Sequence, residues 1–168
     1  MENLPYIQYY TLPDDLSNFS AKLVLIANKL GWATDWLPKI MFHESGMDPA
    51  IVNQNGSGAT GLIQFMPDTA IGLGTTVADL ANMTGTDQLD YVLKYYQQLQ
   101  QTYGIAPSLA DAYIITFYPA AFGQAPTYVL GGSGTARASK IASENPTMDS
   151  GNKGYITKQD IINFVNKW

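Results

Sequence analysis

The sequence predicts a mainly α-helical chain organised as one domain over residues 1–168. Three observations carry that expectation. Apolar residues recur at helical spacing along several stretches, residues able to cap or stop helices flank them, and few runs alternate apolar with polar as half-buried strands do. Hydrophobic residues make up 46% and charged residues 14%, too apolar a balance for a disordered segment and enough for a core.

The first dozen residues are an irregular arm rich in tyrosine. Leu16, Phe19, Leu23, Ile26, Ala27 and Leu30 follow at helical spacing, and Gly31 ends the run. Thr34 is expected to cap a second helix through DWLPKIMFHES. Pro38 is tolerable there because it falls in the first turn, where amide hydrogens lack intrahelical acceptors; Gly46 and Pro49 stop the helix. The segment DPAIVNQNGSGAT carries turn residues throughout, and a short helix is expected at GLIQF. Pro67 suits the first position of another helix, ending near Gly72 and Gly74.

After the loop at Gly85, Thr86 precedes the longest expected helix, about residues 87–103, with Leu89, Val92, Leu93, Tyr96 and Leu99 as its buried stripe. Ser108 and Asp111 resemble a capping box opening a helix over 109–118. A short helix is expected over 136–143. Thr157 and Asp160 resemble another capping box, ahead of the apolar face of Ile161, Ile162, Phe164, Val165 and Trp168. Residues 145–168 are expected as a small helical appendage.

Composition narrows the function. Formal net charge is -5 with only nine Lys and Arg, so there is no basic stripe for a nucleic-acid backbone and no strong attraction to an anionic surface. Sugar strands would have to be held by shape, hydrogen bonds and aromatic faces. With no cysteine, one histidine and no HExxH pattern, neither a thiolate nor a zinc site is expected, and no metal or cofactor is implied. The N-terminal stretch lacks the basic region and apolar run of a signal peptide, and no apolar run approaches membrane-spanning length.

Glu44 is the leading catalytic candidate. It stands near the C-terminal end of an apolar helix, beside Met41, Phe42 and Met47. Partial burial and the negative end of the helix dipole both disfavour a charged carboxylate there, and a general acid for glycoside cleavage must retain its proton. Taken alone, Glu44 also fits an ordinary surface glutamate at a helix end.

The surrounding run, HESGMDPAIVNQNGSGATGLIQFMPDTA at 43–70, resembles the active-site signature of the soluble lytic transglycosylases and their lysozyme-like relatives. The resemblance rests on Glu44 and Ser45 at a helix end, Pro49 five residues after the acid, Gly58, Ala59, Gly61, Leu62 and Gln64, and then Phe65, Met66, Pro67, Thr69 and Ala70. Further on, AYIITFYPAAFG at 112–123 resembles the Phe-Tyr-Pro-Ala variant of phage-type members, so that the likeness spans residues 36–123.

That resemblance implies a lysozyme-like fold and cleavage of the MurNAc–GlcNAc β-1,4 bond of peptidoglycan. Glu44 would protonate the glycosidic oxygen and then accept the proton of the muramic acid C6 hydroxyl, leaving a 1,6-anhydro end. It also implies that Ser45 bonds Glu44 or substrate, that Gln64 lines the sugar cleft, and that Tyr118 steadies Glu44 or the substrate acetamido group. Tyr113, five positions earlier, is expected to face elsewhere.

The chain departs from the pattern in three places. The loop between Pro49 and Gly58 is about two residues longer than usual, Met47 replaces an aromatic, and Asn53 or Asn55 stands where the family has a serine. Asn55 is the substrate-binding candidate of that loop.

No second carboxylate stands out: Asp48 suits its turn before Pro49, and Asp35 and Asp68 suit helix starts. A hydrolytic muramidase of the same fold and a catalytically inactive glycan-binding virion module remain the alternatives. The expected partner is the peptidoglycan strand. With no signal sequence read at the N-terminus, the expected delivery is by a virion, through a membrane-opening partner such as a holin, or within a larger parent protein, and the expected place before release is a phage virion or host cytoplasm. The tail DSGNKGYITKQD at 149–160 resembles a calcium-binding loop only superficially, because Gly151 and Lys153 stand where oxygen ligands belong; a turn opening the last helix explains it better.

Overall fold

A computed structural model describes residues 4–168; the first three residues of the N-terminal arm lie outside the described residues. The fold is mainly α, with eight α-helices, three 3-10 turns, isolated bridges and no strand among the described residues. The chain packs as two compact units, Met1–Ile105 and Ala106–Trp168.

In the first unit the arm makes two 3-10 turns, Ile7–Tyr9 and Pro13–Asp15, and leads into α1 (Leu16–Leu30). α1 buries Phe19, Leu23, Ile26, Ala27 and Leu30, each burial of a large side chain contributing roughly 1.5–3 kcal/mol. Gly31 closes it at φ 70, a left-handed turn that suits glycine. α1 packs against α2 (Trp36–Ser45) and α5 (Gly85–Tyr103), while α3 (Pro67–Leu73) packs on α5 and α4 (Val77–Ala81) bridges the two in sequence. Trp32 meets Tyr96 of α5 edge to face, ring centres 4.7 Å apart.

The arm is clamped to the start of α5. Tyr10 stacks on Phe19 at 4.0 Å, its hydroxyl donates to Asp15 over 2.6 Å and accepts from the Gly85 amide over 2.8 Å. Asp15 also accepts from the amide and hydroxyl of Thr86.

Several boundaries differ from expectation, each for a local reason. Thr34 does not cap α2: Asp35 holds the N-cap position without a side-chain cap and pairs instead with Lys39 at 2.9 Å. α5 begins two residues early because Thr84 accepts the Asp87 amide, whereas Thr86 is drawn to Asp15. GLIQF is not a helix: Gly61 at φ 82 and Gln64 at φ 54 turn the chain, and Thr60 and Phe65 pair as an antiparallel bridge. α4, capped by Thr76, has no counterpart in the sequence-based expectation.

In the second unit, α6 (Leu109–Phe117) is opened by Ser108, whose hydroxyl accepts from the Asp111 amide over 3.1 Å. Tyr118 lies just past its end as the C-cap, one residue short of the expected helix. α7 (Ala136–Glu144) follows, and α8 (Lys158–Val165) begins with the expected capping box of Thr157 and Asp160. α8 packs on α6, where Tyr113 meets Trp168 edge to face at 4.8 Å and stacks with Phe117 at 5.8 Å.

Candidate active site

Glu44 is the penultimate residue of α2 and is half-buried. Gly46 ends that helix at φ 62, its amide returning to the Phe42 carbonyl, and Met47 follows at φ 69 with its side chain fully buried. A left-handed methionine is unfavourable on its own. Burial of its side chain holds the sharp exit that leaves Glu44 at the end of the helix.

Ser45 is 4% exposed, and its hydroxyl points inward, to the Met41 carbonyl at 2.8 Å and the Leu62 carbonyl at 3.0 Å. The Leu62 amide in turn donates to the side-chain oxygen of Gln88 over 3.0 Å. The Gln88 amide nitrogen donates to the carbonyls of Pro49 and Leu80. Gln88 is fully buried, so one side chain on α5 fastens both ends of the loop that follows Glu44. Gly61 has to be glycine here: a Cβ would lie 2.5 Å from the Gln88 oxygen.

Gln64, half-buried, donates from its side-chain nitrogen to the Gly61 carbonyl at 3.1 Å, so it braces its own turn. Asn55 sits exposed at the loop tip, where its amide donates to the Asn53 side chain over 2.8 Å. Asp48 accepts from the Ala50 amide over 2.9 Å, the turn duty expected of a residue before proline, and from Thr11 of the arm at 3.3 Å.

Two residues of this site are not evident from the sequence. Gln88 is one. The other is Tyr95 on α5, whose ring meets Phe65 edge to face at 6.1 Å. Burial, then the negative charge of Glu44 and the Tyr103 phenol, push its phenol up to about 12. Tyr95 therefore stays protonated and within the field of Glu44, available as a hydrogen-bond donor at any neutral pH. A helical hydrophobic pattern gives no warning of this, since a tyrosine beside Tyr96 fits an ordinary buried stripe.

His43, next to Glu44, is exposed but partly covered by Phe42 and Tyr6, and that desolvation pushes its imidazole below the usual histidine range. Among the described residues no group of three or more His, Cys, Asp or Glu is placed to hold a metal ion. An apolar groove between the arm and α1, lined by Leu4, Ile7, Pro13, Leu16, Val24 and Leu25, carries no titratable side chain.

In the second unit, the Tyr118 hydroxyl accepts from the Gly131 amide at 3.1 Å, and the Arg137 guanidinium lies 5.8 Å from its ring centre. The loop 149–160 is organised around a lysine. Asp149 accepts from the amides of Lys153 and Gly154, while the Lys153 ammonium bonds both oxygens of Asp160 at 2.9 Å and the Ser150 carbonyl at 2.7 Å.

A family model described as "Transglycosylase SLT domain" matches residues 26–113, just over half of the chain. The match takes in Glu44, Ser45, Asn55, Gln64, Gln88 and Tyr95; the arm and Tyr118 lie outside it. No curated protein matches the chain.

Proposed function

The chain belongs to the transglycosylase SLT domain family, and on that premise we propose that it is a peptidoglycan lytic transglycosylase with Glu44 as its acid and base. The observation that carries this reading is the position of Glu44: half-buried at a helix end that Ser45, Leu62 and Gln88 lock in place, with the Tyr95 phenol in its field.

The Glu44 carboxylic acid donates its proton to the oxygen joining muramic acid C1 to the next sugar, and the C1–O bond breaks. The carboxylate then takes the proton of the muramic acid C6 hydroxyl as that oxygen bonds to C1. Glu44 ends protonated, as it began, and no water is consumed. One carboxylate suffices, which accords with Asp48 being engaged in its own turn. A hydrolytic route would need a second carboxylate or a held water.

Ser45 acts in this scheme by fixing the end of α2. Gln64 and Asn55, on the loop after Glu44, contact the sugars. For Tyr118 the assignment as the site's steadying tyrosine rests on the sequence resemblance alone. The Phe-Tyr-Pro-Ala stretch at 117–120 favours a bacteriophage enzyme, delivered by a virion or through a holin. No helix among the described residues is long and apolar enough to cross a membrane.

Mass spectrometry of fragments released from purified peptidoglycan tests the reading. Fragments ending in 1,6-anhydromuramic acid are the expected product. Reducing muramic acid ends would replace transfer by hydrolysis, and no fragments from several wall types would favour a glycan-binding module.

A further inference from the structure

The N-terminal arm turns back onto the helix that carries Glu44 and lays a row of aromatic rings along it. Tyr6 adopts φ 62, a left-handed conformation that side chains rarely take, and its ring stacks on Phe42 at 4.1 Å and 5°. Tyr9 leans on the same Phe42 ring at 5.0 Å, and His43 stands edge-on to Tyr6 at 6.1 Å. Tyr9 is 52% exposed in spite of this packing. The arm also reaches the far side of Glu44 in sequence, where Thr11 bonds Asp48. It therefore meets the chain both before the acid, on α2, and after it, in the turn at Asp48.

Tyr9 thus presents an exposed ring on a packed aromatic base, a binding face that needs no charge in a chain of net charge -5. The flat C–H faces of pyranose rings stack on aromatic rings without needing charge, and amphipathic aromatics suit a surface that is apolar on one side and wet on the other. The arm lies outside the residues that the family model matches, so nothing in that match assigns it. We propose that Tyr9, leaning on Phe42 and Tyr6, is an accessory subsite that stacks a sugar of the glycan strand away from the bond being cleaved. This rests on the peptidoglycan reading above and extends it to a segment of the chain that the reading does not use.

The test is calorimetric binding by the full-length chain carrying Glu44→Gln, which removes turnover. The probes are alternating GlcNAc–MurNAc oligomers, a tetrasaccharide and an octasaccharide. Loss of one aromatic stacking contact in Tyr9→Ala should weaken octasaccharide binding about three- to tenfold, with a smaller change for the tetrasaccharide. Tyr9→Phe, which keeps the ring, should retain the affinity. On the Tyr9-containing chain, the Tyr9 ring resonances should shift as octasaccharide is added, a readout that does not depend on how any variant folds. Equal octasaccharide affinity with and without the ring, unmoved ring resonances, or no measurable octasaccharide binding would each overturn the proposal. Failure of the catalytic reading looks different: the unsubstituted chain would release no anhydro fragments while Tyr9-dependent affinity persisted.

Discussion

The Ser45 hydroxyl lies 3.0 Å from the Leu62 carbonyl oxygen, and this bond ties the residue beside Glu44 to the Gly-Leu-x-Gln turn. The two are 17 residues apart, and the bond is buried. The orientation of the Glu44 helix end thus depends on a turn that lies well downstream, and the site's residues can be separated by experiment into those that react and those that hold.

Glu44→Gln keeps the size and hydrogen-bonding capacity of the side chain but removes its titrating proton. Fragment release should fall at least about a hundredfold, the scale of a lost general acid, with the melting temperature nearly unchanged. Retained release in this variant would move the catalytic assignment elsewhere.

Ser45→Ala leaves the buried Leu62 carbonyl without its hydroxyl donor. A cost of about 1–3 kcal/mol in urea unfolding is expected, together with slower turnover as the helix end loosens. Stability lost without any change in turnover would confine Ser45 to packing.

Gln88→Leu removes three bonds at once and strands the Leu62 amide and the Pro49 and Leu80 carbonyls. Unfolding free energy should drop by about 3 kcal/mol or more. Gly61→Ala should be comparably damaging, because it forces a side chain at φ 82 against the same amide. Additive losses in the double variant would show that the two residues do not share one strain.

Tyr95→Phe tests the phenol in the field of Glu44. About a tenfold fall in kcat is expected, as for one lost hydrogen bond to the reacting groups, with a melting shift of no more than about 4 °C. Tyr118→Phe, run beside it, asks the same of the tyrosine that the sequence resemblance selects. An unchanged rate in either variant would leave that tyrosine a packing residue.

Acid should weaken the clamp between the arm and α5. Burial pushes Asp15 up, but hydrogen bonds from Tyr10 and Thr86 and the Lys22 charge together bring its carboxyl below the ordinary range. The unfolded chain therefore holds this proton more tightly, so the stabilisation is present above about pH 4 and is lost as pH falls below it. Urea unfolding at pH 6 and pH 3 should show a smaller difference in Asp15→Asn than in the parent; equal differences would assign the acid sensitivity to other groups.

Much of this architecture is legible in the sequence because it is written locally. Gly31 and Gly46 stop helices where a left-handed residue is needed, and Thr157 and Asp160 cap α8 through atoms three residues apart. Glu44 stands out through its motif. What escapes is set by distant partners. GLIQF has helical composition, yet Gly61 and Gln64 turn left-handed and Thr60 pairs with Phe65, a closure to which the distant Gln88 is fastened through the Leu62 amide. Thr84 and Thr86 are equally good caps by type, and the choice between them is made by Asp15, some seventy residues earlier. Tyr95 has the pattern of a core residue, and only burial together with the Glu44 charge acting on its phenol sets it apart.

The lysine at the centre of the 149–160 loop has one more consequence. Lys153 places a covalently attached ammonium between two aspartates, so the loop carries a counter-ion of its own. Its shape should be the same in chelator-treated and calcium-rich solutions. A protein meeting abrupt changes of ionic surroundings would keep the entrance to its last helix folded throughout.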